Sequence, residues 1–347
     1  MTDPVLLSVR DLRVSFTLDD GVVQAVDGVS FDVLPGQVLG IVGESGCGKS
    51  VTMKAILQLV DRPGRVTQGE IRFRRRRGEV EDVVDIARLP PKGPELRDIR
   101  GGEIALIPQE PMASFSPVHT VGDQIVEAIQ LHAHRWRPDG RSVSRREARE
   151  ITIGLFRDVG ISMPEQRIDA YSWQLSGGLR QRAMIAMALS CRPRLLIADE
   201  PTTAIDVTTQ AQVLALLRDL KVKYNTAIIF ITHDLGVIAQ MASYVVVMYL
   251  GRVMEQGPVD DIFHAPKHPY TQALLRSMPG LHGRTRVPLP VISGALPHPF
   301  NRPRGCPFHP RCPDAMDRCA TAVPALADVG VDRMTSCFLH SEAESAP

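Results

Sequence analysis

Residues 43–50 constrain this chain more than any other stretch. Gly43-Glu44-Ser45-Gly46-Cys47-Gly48-Lys49-Ser50 match the pattern G-x-x-x-x-G-K-S/T in full. The run before them, Val38-Leu39-Gly40-Ile41-Val42, is short and apolar, as a buried parallel strand requires. The stretch after them, Ser50 to Val60, permits a helix. A strand, a glycine-rich loop and a helix in that order form a phosphate-binding unit, with far less room for an ordinary glycine-rich turn. Three glycines let the backbone curl until its N–H groups converge on phosphate oxygens. A helix starting at Lys49 adds its positive N-terminal end. Lys49 then reaches the β- and γ-phosphates, and the Ser50 hydroxyl reaches Mg²⁺.

At 347 residues and 44% hydrophobic, the chain can build two or three domains or subdomains. A formal charge of +1 leaves no electrostatic footprint for nucleic acid. Val245 to Leu250 lies in an apolar run far too short to span a bilayer, and Met1-Thr2-Asp3-Pro4 lacks the features of a signal peptide. These readings predict a cytosolic chain that meets a membrane only through partners. Four of the six cysteines fall in the last 42 residues, which in a reducing compartment favours metal over disulfide.

In chain order, residues 5–34 read as a hairpin turning at Asp19-Asp20-Gly21. Phe16 alternates like a core residue on a half-buried strand, the reading its pattern favours over stacking on an adenine. Arg74 to Arg77, followed by Gly78, reads as a solvated hairpin tip. Ile104 to Ile107 reads as a buried strand ending at Pro108-Gln109-Glu110-Pro111. Residues 112–191 take helical spacing, with His132 and His134 expected to face solvent. Ser176-Gly177-Gly178 before a helix makes a second anion-binding N-terminus, or a plain cap. Leu195 to Ala198 is an apolar strand ending in Asp199 and Glu200. Asp199 fits a Mg²⁺ ligand through bound water, and Glu200 fits a position beyond the γ-phosphate. Val207 to Tyr224 reads as a helix and Thr226 to Ile231 as a strand that delivers His233 to the ligand edge. From Pro279, prolines at 288, 290, 297, 299 and 303 mark an extended connector.

Together these stretches resemble the nucleotide-binding subunits of ATP-binding cassette (ABC) transporters over residues 5–280. Gly43–Ser50 is similar to their Walker A loop and Gln109 to the Q-loop glutamine. Leu175-Ser176-Gly177-Gly178-Leu179-Arg180-Gln181 is similar to the signature motif. Leu195–Glu200 resembles Walker B with catalytic Glu200, Ala204-Ile205-Asp206 the D-loop with Ile for the usual Leu, and His233 the switch histidine. Phe16 matches the aromatic that stacks on adenine, which raises that reading. Gly251 to Pro258, His268 to Leu275 and the Gly-Leu-Arg-Gln-Arg end of the signature resemble the oligopeptide/dipeptide importer ATPases. Nickel and other small-solute importers share these features.

The resemblance implies an α/β fold, a RecA-like P-loop NTPase core with an antiparallel β-subdomain. The core would take residues 1–108 and 192–278, a helical subdomain 109–191, and a cysteine-bearing extension 279–347. It implies ATP on Phe16, on the loop from Gly43 to Val51, and on Gln109 and Asp199. Mg²⁺ would fall to Ser50, Gln109 and Asp199, and catalysis to Glu200, His233, Lys49 and Gln109. Ser176, Gly177 and Gly178 need a phosphate, yet Lys49 already serves this chain's own loop. A head-to-tail dimer closed by ATP follows, with a second, related ATPase as the usual partner. Two membrane-spanning permeases and an extracytoplasmic solute-binding protein complete the implied assembly, placing the chain peripherally on the cytoplasmic face of the inner membrane. A soluble cassette ATPase of DNA repair or translation is the alternative class, disfavoured because neither a coiled-coil insertion nor a tandem cassette is present. A third is a binding module whose tail is a metal-dependent platform gated by ATP.

Cys306, Cys312, Cys319 and Cys337 are spaced by 6, 7 and 18 positions. Zinc favours close C-x₂₋₄-C pairs, and this tail has none. Thiolate-rich sites without such pairs suit an iron–sulfur cluster, and the resemblance implies a 4Fe-4S cluster here, with zinc second and free thiols third. Its expected role is to clip a tail too small for its own core. The Cys47 and Cys191 thiols are expected to ligate no metal.

Overall fold

The computed structural model describes residues 5–77, 80–110, 114–137, 139–203, 206–278 and 291–340. In chain order these form β1 (Leu7–Leu18), β2 (Gly21–Val33), β3 (Val38–Val42), α1 (Lys49–Ile56), β4 (Gly64–Arg77), β5 (Val80–Asp85), α2 (Pro94–Ile99) and β6 (Ile104–Ile107). Then come α3 (Val121–Leu131), α4 (Arg145–Asp158), α5 (Pro164–Arg167), α6 (Gly177–Leu189), β7 (Leu195–Asp199), α7 (Val207–Tyr224) and β8 (Ala227–Ile231). The chain continues through α8 (Leu235–Met241), β9 (Tyr244–Tyr249), β10 (Arg252–Pro258), α9 (Val259–His264), α10 (Pro269–Arg276), α11 (Asp317–Thr321), β11 (Ala327–Gly330) and β12 (Arg333–Thr335). They divide into two compact units.

One unit combines residues 8–32, 39–72 and 232 onward. The expected hairpin is β1 and β2, with β4 beside β1. All five residues of β3 are buried, and it pairs in parallel with β9, Leu39 opposite Tyr244 and Val42 opposite Val247. Parallel strands covered on both faces demand such continuous apolar runs. β9 pairs antiparallel with β10, β10 with β12, and β12 with β11. The proline-rich stretch from Pro279 was expected to be an extended connector leading to the cysteines, and no strand was read beyond it. Instead Glu255 pairs across β10 with Thr335, so the tail's end is an edge of this sheet. Buried Glu255 also takes an ion pair from Arg333 at 2.8 Å. Pro279, Pro288 and Pro290 lie outside the described residues. Helix α1 is shorter than its sequence permits and stops at Ile56.

The other unit holds residues 33–38 and 73–231 with the N-terminal stretch. Its parallel strands run β6, β7, β8: Ile104 sits opposite Leu195 and Leu195 opposite Ala227. The four longer helices fall where the 3.6-residue spacing put them, each started by a side chain that satisfies a free N–H. Thr120 caps α3, Ser144 caps α4, Ser176 caps α6 and Asp206 caps α7. Val121, Ile125 and Ile129 of α3 are buried, as are Ala148, Leu155 and Phe156 of α4.

Two expectations fail in this unit. Arg75 is no part of a solvated tip: its side chain is 0% exposed and pairs with Glu103 and Asp98, both at 2.6 Å, and Glu95 at 2.8 Å. A guanidinium can be buried when its five donors meet carboxylates. Gly78 lies outside the described residues. His132 does not face solvent either. Its ring packs against Gly102, with Nδ1 3.9 Å from Asp98, while the more exposed His134 reaches the same carboxylate at 2.9 Å. His132, with His134 and Arg75, pulls the Asp98 carboxyl down to about 2 against burial.

Candidate functional site

The loop after β3 takes the curl its glycines allow. Gly43, Gly46 and Gly48 have φ of +149°, +78° and +99°. A Cβ at Gly43 would fall on the Met248 carbonyl, and one at Gly48 would lie 2.5 Å from the Ala25 carbonyl oxygen. Neither position tolerates a side chain, on conformational and steric grounds together. Gly48 caps α1, which begins at Lys49 as expected. Lys49 is buried, and its ammonium donates to the loop's own carbonyls, Gly43 at 2.8 Å and Glu44 at 3.1 Å. Its charge is therefore held inside the curl. Ser45, Gly46, Ser50 and Val51 complete the loop and the first turn of α1. Cys47 is fully buried, and burial pushes its thiol upward despite neighbouring Lys49.

The loop is backed by the same unit. The Cys47 carbonyl accepts from Gly251 N at 2.8 Å, and the Gly251 carbonyl accepts from Asp27 N at 2.8 Å. Asp27 in turn meets Arg13, Arg252 at 2.6 Å and Arg302 at 2.9 Å. Three guanidinium groups on one carboxylate leave a net positive charge beside the loop, which favours anions. Phe16 is half-exposed, and its ring lies against Gly64, where a Cβ would come 2.5 Å from Cε1. His233, two residues past β8, is exposed.

In the other unit, Gln109 follows β6, Asp199 ends β7 and Glu200 follows it, at the carboxyl edge of parallel strands. Ligands gather at such edges. Asp199 is buried. Glu200 has φ of +48°, and its N–H bonds the Ile231 carbonyl at 2.9 Å. Its carboxylate accepts from Thr203 Oγ1 at 2.8 Å and Gln109 Nε2 at 3.3 Å. Glu200 is thus a non-glycine residue in the left-handed region whose side chain is held from two elements. Thr203 was not singled out from the sequence, since a Thr three residues past an acid carries no pattern. Gln181 of α6 reaches the Pro201 carbonyl at 2.5 Å, tying the signature helix to the loop after Glu200.

Ser176 is exposed and accepts from Leu179 N at 3.4 Å, a weak cap. Among the described residues, a Cβ at Gly177 would meet nothing within 4 Å beyond its own helix, and one at Gly178 the Thr209 methyl at 3.4 Å. Of the expected D-loop, Ala204 and Ile205 lie outside the described residues, and Asp206 caps α7.

Cys306, Cys312, Cys319 and Cys337 line one pocket, with His268, His309 and Asp314 beside them. None is in a disulfide. Burial pushes the Cys306 thiol up to about 11. Cys306 N bonds the Cys319 carbonyl at 2.8 Å, an approach that glycine at 305 permits because a Cβ there would strike that same carbonyl. The Met316 N–H points at Cys319 Sγ, 3.5 Å away. Cys47 and Cys191 are both buried elsewhere.

Comparison with solved structures defines the class first. A dimeric ABC transporter cassette, MJ0796, superposes with a TM-score of 0.61, covering 73% of this chain and 98% of that one at 23% identity. The same cassette in a post-hydrolysis state bound to ADP and Pi gives 0.60, with the same coverage and 24% identity. The fold is that of an ABC cassette, an α/β P-loop NTPase. The family model "ABC transporter" matches residues 26–203, and "Oligopeptide/dipeptide transporter, C-terminal region" matches 254–319. The dipeptide transport ATP-binding protein DppD of Escherichia coli (strain K12) is 47% identical over 99% of both chains. A probable peptide ABC transporter ATP-binding protein, y4tR of Sinorhizobium fredii, is 47% identical over 97% of this chain and 96% of that one. The oligopeptide transport ATP-binding protein AppD of Bacillus subtilis is 45% identical over 97% of each. This chain belongs to the ATP-binding proteins of ABC transporters and is an ATPase of that family. Among the described residues, no helix is long and apolar enough to cross a membrane.

Proposed function

We propose that this protein is the ATP-hydrolysing subunit of an importer for dipeptides or oligopeptides. Matches to named peptide-transport relatives along nearly the whole chain support the solute class. The loop from Gly43 to Val51 and Lys49 would hold the phosphates, with Phe16 against the base. Ser50, Gln109 and Asp199 would hold Mg²⁺, which supplies charge neutralisation at the γ-phosphate. Glu200 would polarise a water for in-line attack on that phosphorus; the bond to the bridging oxygen breaks, and ADP and phosphate leave. His233 would steady the γ-phosphate and the water. Ser176, Gly177 and Gly178 would close on nucleotide held by a second, related cassette. Two permeases would carry the pair at the cytoplasmic face of the inner membrane, fed by an extracytoplasmic solute-binding protein.

The observation that carries the hydrolytic reading is the Glu200 carboxylate, held between Gln109 and Thr203 at a strand end. In the assembled transporter, Glu200→Gln is expected to keep nucleotide binding and cut ATP turnover and dipeptide uptake about 100-fold or more. Full turnover in that variant would reject the assignment.

The four tail cysteines would hold one metal centre, a 4Fe-4S cluster. A tetrahedral zinc with bonds of about 2.3 Å needs its sulfurs roughly 3.8 Å apart. Among the described residues no three of these thiols lie within 4.8 Å of one another, and a four-iron core sets its ligands wider than one ion does. The N–H directed at Cys319 Sγ also suits a thiolate ligand. The core from 1–108 and 192–278, the helical subdomain 109–191 and the extension 279–347 remain the functional divisions of this reading.

A further inference from the structure

Glu44 is the one carboxylate inside the 43–50 motif, and a carboxylate there opposes phosphate binding unless it is neutralised and turned aside. The structure does both from the C-terminal segment. Arg311 meets Glu44 with both ends of its fork, Nη1 to Oε2 at 2.7 Å and Nη2 to Oε1 at 3.1 Å. Its side chain is 4% exposed. The rest of the guanidinium is filled by the Ser293 and Ile292 carbonyls, at 3.0 and 3.3 Å, and by Tyr249 Oη at 3.2 Å. Such planar, fully satisfied pairing is what distinguishes arginine from lysine. Tyr270 holds the same residue by its backbone, accepting from Glu44 N at 2.9 Å.

Both contacts originate at the thiol pocket. Arg311 immediately precedes Cys312, and the turn from Cys306 to Cys312 is closed by His309 N on the Cys306 carbonyl at 3.0 Å and Cys312 N on the His309 carbonyl at 3.2 Å. Phe308 in that turn packs on Tyr249 and Tyr270, with ring centroids 5.4 and 5.2 Å apart. Pro269, next to Tyr270, lines the pocket.

We propose that the Cys306–Cys312 turn braces the phosphate loop, with Arg311 and Tyr270 as positioning residues that hold Glu44, so that an intact thiol pocket raises the affinity of the loop for nucleotide. The brace rests on the nucleotide-binding reading of residues 43–50 but not on which metal the cysteines take. Linkage makes the effect reciprocal: nucleotide must favour the ordered pocket by the same factor.

The test is equilibrium binding of a fluorescent ATP analogue to the purified full-length chain, without turnover. Arg311→Ala is expected to weaken binding about tenfold, and Arg311→Lys by less, since it keeps charge without the fork. Cys312→Ser should weaken binding in the same direction. Glu44→Gln combined with Arg311→Ala should be no weaker than Arg311→Ala alone, because both act through one contact. Binding within twofold of wild type in Arg311→Lys and Arg311→Ala, or additive effects in the double variant, overturns the brace. If Arg311→Ala does not fold, Arg311→Lys against Glu44→Gln decides by the same criterion. Failure of the wild-type chain to bind the analogue would instead sink the nucleotide reading, and the brace with it.

Discussion

The phosphate loop and the signature segment are both glycine-rich turns into a helix, yet their surroundings differ sharply. At Gly43 and Gly48 the chain's own backbone occupies the space a side chain would need, and both φ angles are positive. The loop is finished by its own unit: Lys49 sits on its carbonyls, and Gly251 and Arg311 hold it from outside. Among the described residues outside its own helix, nothing comes within 4 Å of a Cβ placed at Gly177, and Ser176 makes only a weak cap. Packing within this chain therefore gives Gly177 no reason to be glycine. On the proposed function, a nucleotide held by a second cassette would supply that reason: the phosphate loop is finished within its own unit, and the signature segment would be completed from outside the chain.

The contrast can be broken most severely at Gly48. Gly48→Ala forces a Cβ towards the Ala25 carbonyl in a left-handed conformation, and nucleotide binding by the isolated chain is expected to be lost outright. Retained binding would show that the loop is not rigidly set. A smaller effect is expected at the signature, where Ser176→Ala removes the cap of α6 and costs about 1 kcal/mol in urea unfolding, with binding to the isolated chain unchanged. The smallest is Gly177→Ala. With open space and an ordinary helical position, it is expected to stabilise the chain by about 0.5 kcal/mol while lowering ATP turnover of the assembled transporter. A clear loss of stability in the isolated chain would assign Gly177 an internal role and erase the comparison.

The nucleotide motifs were legible because their chemistry is local. A curl of glycines, a lysine and a hydroxyl depend on residues next to one another, and the helices of residues 121–189 announced themselves by period and composition. Arg75 was misread because four arginines in a row look the same whether solvated or buried. Glu95, Asp98 and Glu103, which decide the matter, lie 20 to 28 positions on. His132 failed in the same way, since its polar neighbours in sequence are not its neighbours in space. Arg311 carried no signal, and Tyr270, though inside the His268–Leu275 resemblance, gave none of its contact; they stand 267 and 226 positions from the residue they hold.

By itself, the sequence determined the strand–loop–helix unit of the phosphate loop, the helices of residues 121–189, the acid-tipped strand before Glu200 and the four clustered thiols. Short-range conformational preference and hydrophobic period suffice for these. Tertiary structure alone decided that the tail joins the sheet through β12 and that Arg311 reaches the phosphate loop. It also decided that Glu200 is gripped by Gln109 and Thr203. Each of these depends on groups brought together by folding, and the pairing of distant charges and hydrogen-bonding groups leaves no periodic trace in the chain.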